Sequence, residues 1–68
     1  MRSEFCRRLK TLREKRGLSR RTLSELCGLH PDAVRRYESG QARPSVEAVC
    51  ALAEYFGVTV DWMLGHTQ

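Results

Sequence analysis

The chain has few of the features that mark membrane, secreted or metal-dependent proteins. No run of about 18 apolar residues occurs, so no membrane-spanning helix is expected. The N-terminus lacks a basic, then apolar, then small-residue leader, so the chain reads as soluble and intracellular. Cys6, Cys27 and Cys50 cannot all pair within one chain, and none stands in a CxxC spacing. With apolar helical neighbours, all three are expected to be small buried hydrophobes and not disulfides or zinc ligands. His30 and His66 have no partner at metal-ligand spacing, and no Ser-His-acid set or glycine-rich phosphate loop is present. No enzyme, metal, cofactor or small-molecule ligand is therefore expected. Strand-like alternation, internal repeats and linkers are also missing, which leaves 1–68 as a single domain.

Basic residues are absent after position 44. All 12 Lys and Arg lie in residues 1–44 with five acids, a net of +7. Residues 45–68 carry three acids and no base, a net of −3. Solvated surfaces usually mix their signs; segregation along the chain points to a polyanionic partner for the first two thirds.

What is present is helical periodicity with regular punctuation. Phe5, Leu9 and Leu12 form one face of a first helix capped by Ser3. Leu23, Leu26 and Cys27 mark a second, opened by Ser19, and Val34 and Tyr37 a third. Val46, Val49, Cys50, Ala53 and Phe56 mark a fourth, opened by Ser45 after Pro44. Thr59 opens a last short helix through Trp62, Met63 and Leu64. Gly17, Gly28, Gly40, Gly57 and Gly65 each fall where one of these helices must end. The expected fold is all-α, five short helices with no strands, joined by connections only a few residues long.

The segment "RRTLSELCGLHPDAVRRYESG" joins the second and third helices through an unusually tight turn at Gly28. Small Ser24 lets the two helices approach, while Leu23, Cys27, Leu29, Val34 and Tyr37 fill the angle between them. Pro31 is expected at the first helical position, where its missing N–H is harmless. Together with "RLKTLREKRGLS" before it and "ESGQARPSVEAVCALAEYFGVTVDWMLG" after it, the segment resembles the helix-turn-helix of the phage repressor and Cro (XRE-like) family. The resemblance covers residues 5–65, with the helix-turn-helix at about 20–39.

That resemblance implies sequence-specific binding of double-stranded DNA by a transcriptional regulator, expected to be a repressor, with residues 31–39 lying in the major groove. The outer side of this helix carries Asp32, Arg36 and Ser39, flanked by Ala33 and Arg35. Arg36 suits a bidentate pair with guanine O6 and N7. Asp32 either accepts from a cytosine amino group or bridges Arg36, four residues on. Ala33 suits a thymine methyl, and Arg35 a base or a phosphate. His30 is expected to cap the helix. Arg20, Arg21, Ser39, Gln41 and Arg43 are the expected phosphate contacts, although Arg21, like Arg8 and Lys10, could equally be an ordinary surface charge. Arg20 departs from the glutamine usual in the family, and Pro31 cannot make the side-chain hydrogen bond that this glutamine braces. The resemblance also implies a structural ion pair, Arg13 with Glu38. Trp62 and Met63 are either core or residues beside the two-fold axis of a homodimer formed at least on DNA, with half-sites about 10 bp apart. Such a protein would act in the cytoplasm, at the nucleoid. The alternative is a protein-interaction module, such as an antitoxin or antirepressor, since the fold hosts that role too.

Overall fold

Four hydroxyl side chains set where helices begin. In a computed structural model, which describes residues 3–66, Ser3, Ser19, Ser45 and Thr59 each accept a hydrogen bond from the backbone N–H three residues on. Each of these satisfies a donor that the first turn of its helix would otherwise leave unpaired. The helices are α1 (Glu4–Lys15), α2 (Arg20–Leu26), α3 (Ala33–Ser39), α4 (Val46–Phe56) and α5 (Val60–Leu64), with no strand among the described residues.

Each helix contributes one wholly inaccessible apolar side chain to a shared core: Leu9, Leu23, Val34, Leu52 and Met63. Phe5, Val49, Ala53 and Phe56 complete the buried cluster, and Leu12, Leu18, Leu29, Tyr37 and Trp62 pack around it. Burying an aliphatic side chain of this kind contributes about 1.5–3 kcal/mol, so the core orients all five helices at once. α2 packs mainly on α3, while α1 touches both α3 and α5. Where α5 ends on α1, a Cβ on Gly65 would stand 2.7 Å from Glu4 Cβ, and its φ of +79° is itself costly for other residues. Glycine there meets both requirements at once.

Several expectations give way. The buried stripe of α4 is Ala48, Val49, Leu52, Ala53 and Phe56, whereas Val46 is 75% exposed and Cys50 lies on the surface. Val49, Ala53 and Phe56 have apolar residues on both flanks, so the helical period alone leaves two rotations open. Packing against its neighbours selects the flank with Leu52. Leu26 is likewise on the surface, at 55% exposure, and the buried companion of Leu23 is Ser24. Of the three cysteines only Cys6 is buried; Cys27 is half-buried and Cys50 exposed. Burial pushes the Cys27 thiol up, away from the reactive thiolate form. The Cys6 thiol donates to the Tyr37 carbonyl at 2.8 Å, tying α1 to α3.

Candidate nucleic-acid interface

The third helix begins two residues later than its sequence pattern suggests. Pro31 and Asp32 form the centre of a turn closed by Ala33 N–H on the His30 carbonyl at 2.8 Å. Asp32, at φ −94° and ψ 0°, has the backbone of the third residue of a type I turn, and proline is favoured just before it. Pro31 therefore sets the angle at which the chain enters α3 and is not a residue of its first turn. His30 supports this turn through Nδ1, which accepts the Asp32 N–H at 3.1 Å.

Capping of α3 comes from another helix. Asp32, at the N-cap position, makes no side-chain capping bond. Ser24 Oγ, wholly inaccessible on α2, accepts the Val34 N–H at 3.0 Å and donates to the Arg20 carbonyl at 2.8 Å. The hydroxyl thus fixes α3 on α2 with a polar contact inside an apolar corner. Sequence reading sees the small size of Ser24; the spatial neighbour that gives the hydroxyl its role is ten residues away and carries no local signal.

The opposite anchor is the Arg13–Glu38 pair, with Arg13 Nε 2.6 Å and Nη2 3.0 Å from the two carboxylate oxygens. Arg13 Nη1 also donates to the Leu18 carbonyl at 2.7 Å. Glu38 is 5% exposed, and its hydrogen bonds raise the Arg13 pKa further above its ordinary range. This two-toothed, nearly dry contact links α1 to the C-terminal half of α3.

With both ends anchored, the outward side of α3 is narrow. Arg36 and Ser39 are exposed, and Arg35 and Asp32 are half-exposed. Ala33 is not part of this surface: at 8% exposure it faces the fold beside Val34, so it cannot present its methyl to a base. Positions 33, 34, 37 and 38 share the inner side of one helix, and the later start of α3 does not change that. Asp32 does not bridge Arg36. Its carboxylate pairs with Arg35 Nη2 at 3.6 Å, and the guanidinium beside it holds it below the usual carboxylate range. Among the described residues no hydrogen bond or ion pair engages the guanidinium of Arg36, nor that of Arg20 or Arg43.

Around this surface, Arg20, Arg21, Gln41 and Arg43 are all exposed. Arg21 reaches Glu25 at 3.4 Å, a loose surface pair. The backbone N–H groups of Gly40, Gln41 and Ala42 turn back onto the carbonyls of Arg36 and Tyr37, closing α3 with Gly40 in the left-handed conformation. Those donors are spent, so anion contact at this corner falls to side chains. Arg8 belongs elsewhere: it donates to the Trp62 carbonyl at 2.5 Å, bonds Glu4, and lies 4.6 Å from the centre of the Trp62 ring. It is a clamp between α1 and α5. Arg16 similarly covers the Tyr55 and Phe56 rings, each at 5.3 Å, a cation–π contact that local sequence patterns do not reveal. Met63 is wholly buried and is a core residue, not a dimer contact, while Trp62 is half-buried under Arg8. No group of three His, Cys, Asp or Glu side chains able to hold a metal occurs among the described residues.

Comparison with known proteins agrees with this geometry. The helix-turn-helix family model matches residues 9–63. Over 61 residues the chain is 41% identical to the HTH-type transcriptional regulator AnsR of Bacillus subtilis (strain 168), covering 90% of this chain and 53% of that protein. The chain thus spans about half of that relative's length. The restriction-modification controller protein C.AhdI from Aeromonas hydrophila has a similar structure, with TM-score 0.79 and 33% identity over 90% of this chain and 92% of its own. The P22 c2 repressor, solved in complex with a synthetic operator, gives TM-score 0.84 over 93% of this chain and 96% of its own. At 21% identity, that likeness speaks for the fold. By the extent of the family match and the arrangement of α2 and α3, the chain belongs to the helix-turn-helix family of the phage repressor and Cro type.

Proposed function

We propose that this chain is the DNA-binding part of a transcriptional regulator, most simply a repressor, that reads double-stranded DNA with α3 in the major groove. The observation that carries the reading is the anchored α3 with Arg36 projecting from it unpaired, surrounded by exposed arginines on a helix-turn-helix. A guanidinium free of intramolecular partners can pair with guanine O6 and N7. Asp32 and Arg35 lie on the same side, at the N-terminal end that enters the groove first. Arg20, Arg21, Ser39, Gln41 and Arg43 flank this surface and supply phosphate contacts, which set register without encoding sequence.

The proposed acting form is a homodimer on DNA. An open groove between the start of α1, the α3–α4 loop and α5 is lined by Val46, Val49, Val60 and Leu64 beside Arg43. Val46 on its rim is the most exposed large apolar side chain described. With Met63 in the core, the second copy is proposed to sit on this groove and the exposed part of Trp62. The protein's extents of 31 × 26 × 22 Å suit two copies side by side on half-sites about 34 Å apart. Its action is occupancy of a site, without covalent chemistry, in the cytoplasm at the nucleoid. Selection of bound sites from random duplex DNA tests the reading. A two-fold-related motif with half-sites about 10 bp apart is expected, and recovery of no enriched sequence refutes it.

A further inference from the structure

Arg35 and Arg36 are adjacent on α3, yet only one has an anionic partner. Asp32 Oδ2 stands 3.6 Å from Arg35 Nη2, while Arg36 is exposed and unengaged among the described residues. The backbone from which the carboxylate projects is held on both sides. Asp32 N–H donates to His30 Nδ1 at 3.1 Å, and its carbonyl accepts the Arg36 N–H at 3.0 Å. A turn preset by Pro31 therefore projects a carboxylate from a fixed backbone position toward the arginine one helical turn on.

This pair does little for the fold. Both side chains are substantially exposed, at 49% for Asp32 and 40% for Arg35, and surface ion pairs contribute little. A carboxylate on a surface meant to approach phosphates is also a liability for affinity, since it repels the backbone it nears. Its benefit lies in geometry. Arginine has much rotamer freedom to lose when it pairs bidentately with a base, and a partner that confines the guanidinium beforehand reduces that loss. The same carboxylate neutralises Arg35, so that Arg35 adds little to sequence-independent attraction.

Building on the major-groove reading above, we infer that Asp32 is a positioning residue, which orients the Arg35 guanidinium toward guanine and does not itself read a base. Arg35 and Arg36 then read separate base pairs, one held in advance and one free to adapt. The tandem arginines divide precision from reach.

The test measures binding to the selected site, to each of its single-base variants and to a random-sequence duplex. The proteins are the wild type, Asp32→Ala, Asp32→Glu, Arg35→Ala and the double variant. Arg35→Ala is expected to lose preference at one base pair, on the order of 10-fold. Asp32→Ala should lose part of the preference at that same base pair while binding the random duplex more tightly than wild type. The double variant should match Arg35→Ala, and Asp32→Glu should restore part of the preference. A shift at a different base pair in Asp32→Ala, persisting in the Arg35→Ala background, would mean that Asp32 reads a base and would overturn the inference. Unchanged preferences in Asp32→Ala, with a site still selected by wild type, overturn it alone. A wild type that selects no site overturns the major-groove reading and this inference with it.

Discussion

Replacing Ser24 by alanine isolates the contact that fixes α3 on α2. The hydroxyl is wholly inaccessible, and its loss strands the Val34 N–H, whose side chain is also inaccessible. An unsatisfied buried donor costs about 1–3 kcal/mol. Alanine returns about 0.5 kcal/mol through its better helix propensity within α2. The net loss is about 1.5 kcal/mol if the donor's cost falls in mid-range. In a domain of this size each kcal/mol lowers the melting temperature by about 4–8 °C, so a drop of about 6–12 °C is expected. Thermal and urea unfolding followed by circular dichroism measure it, with Ser39→Ala as the control. Ser39 Oγ also bonds a helical carbonyl, that of Arg36 at 3.1 Å, but it is exposed and water replaces the bond. Ser39→Ala should therefore stay within about 0.5 kcal/mol of wild type. A Ser24→Ala protein that melts at or above the wild-type temperature would refute the argument that this hydroxyl is needed to pair a buried donor.

Glu38→Ala should cost about 3–5 kcal/mol by leaving Arg13 uncompensated in a nearly dry site. Total stability for a chain of 68 residues is about 3–10 kcal/mol, so the urea midpoint at 25 °C should fall by about a third or more. Arg43→Ala should weaken binding to all duplexes alike and reduce the salt slope by about one unit, as measured by titration at several salt concentrations. Arg36→Ala should instead relax preference at one base pair, at a cost of about 1–3 kcal/mol. Asp32 should titrate below the usual carboxylate range in NMR, because Arg35 favours its charged form. Whatever the pair contributes is present above the unfolded-state value and is lost as pH falls through the depressed one. In Arg35→Ala the midpoint should move up, and no movement would deny the pair.

The order and limits of four of the five helices were legible because their signals are local. Ser3, Ser19, Ser45 and Thr59 each bond a backbone donor three residues away, and glycine follows each helix. Arg13 and Glu38 were legible through resemblance, since 25 positions separate them and no period connects them. The start of α3 was less so. Proline is favoured both in a first helical turn and in the turn before it, and the bonds from His30 decide between the two.

By itself, the sequence determined the helical class, the segregation of charge, the punctuation by glycine and hydroxyl caps, and the membership carried by the residues around Gly28. These rest on contacts within a few positions of the chain. Only the tertiary structure decided which flank of α4 is buried, that Met63 and Ala33 face inward, that Ser24 caps α3, and that Asp32 holds Arg35 and leaves Arg36 free. Each of those depends on how one helix is rotated against another, or on which rotamer meets a neighbour. A period of 3.6 residues locates a stripe to within one ridge, and the packing of the other helices chooses the ridge.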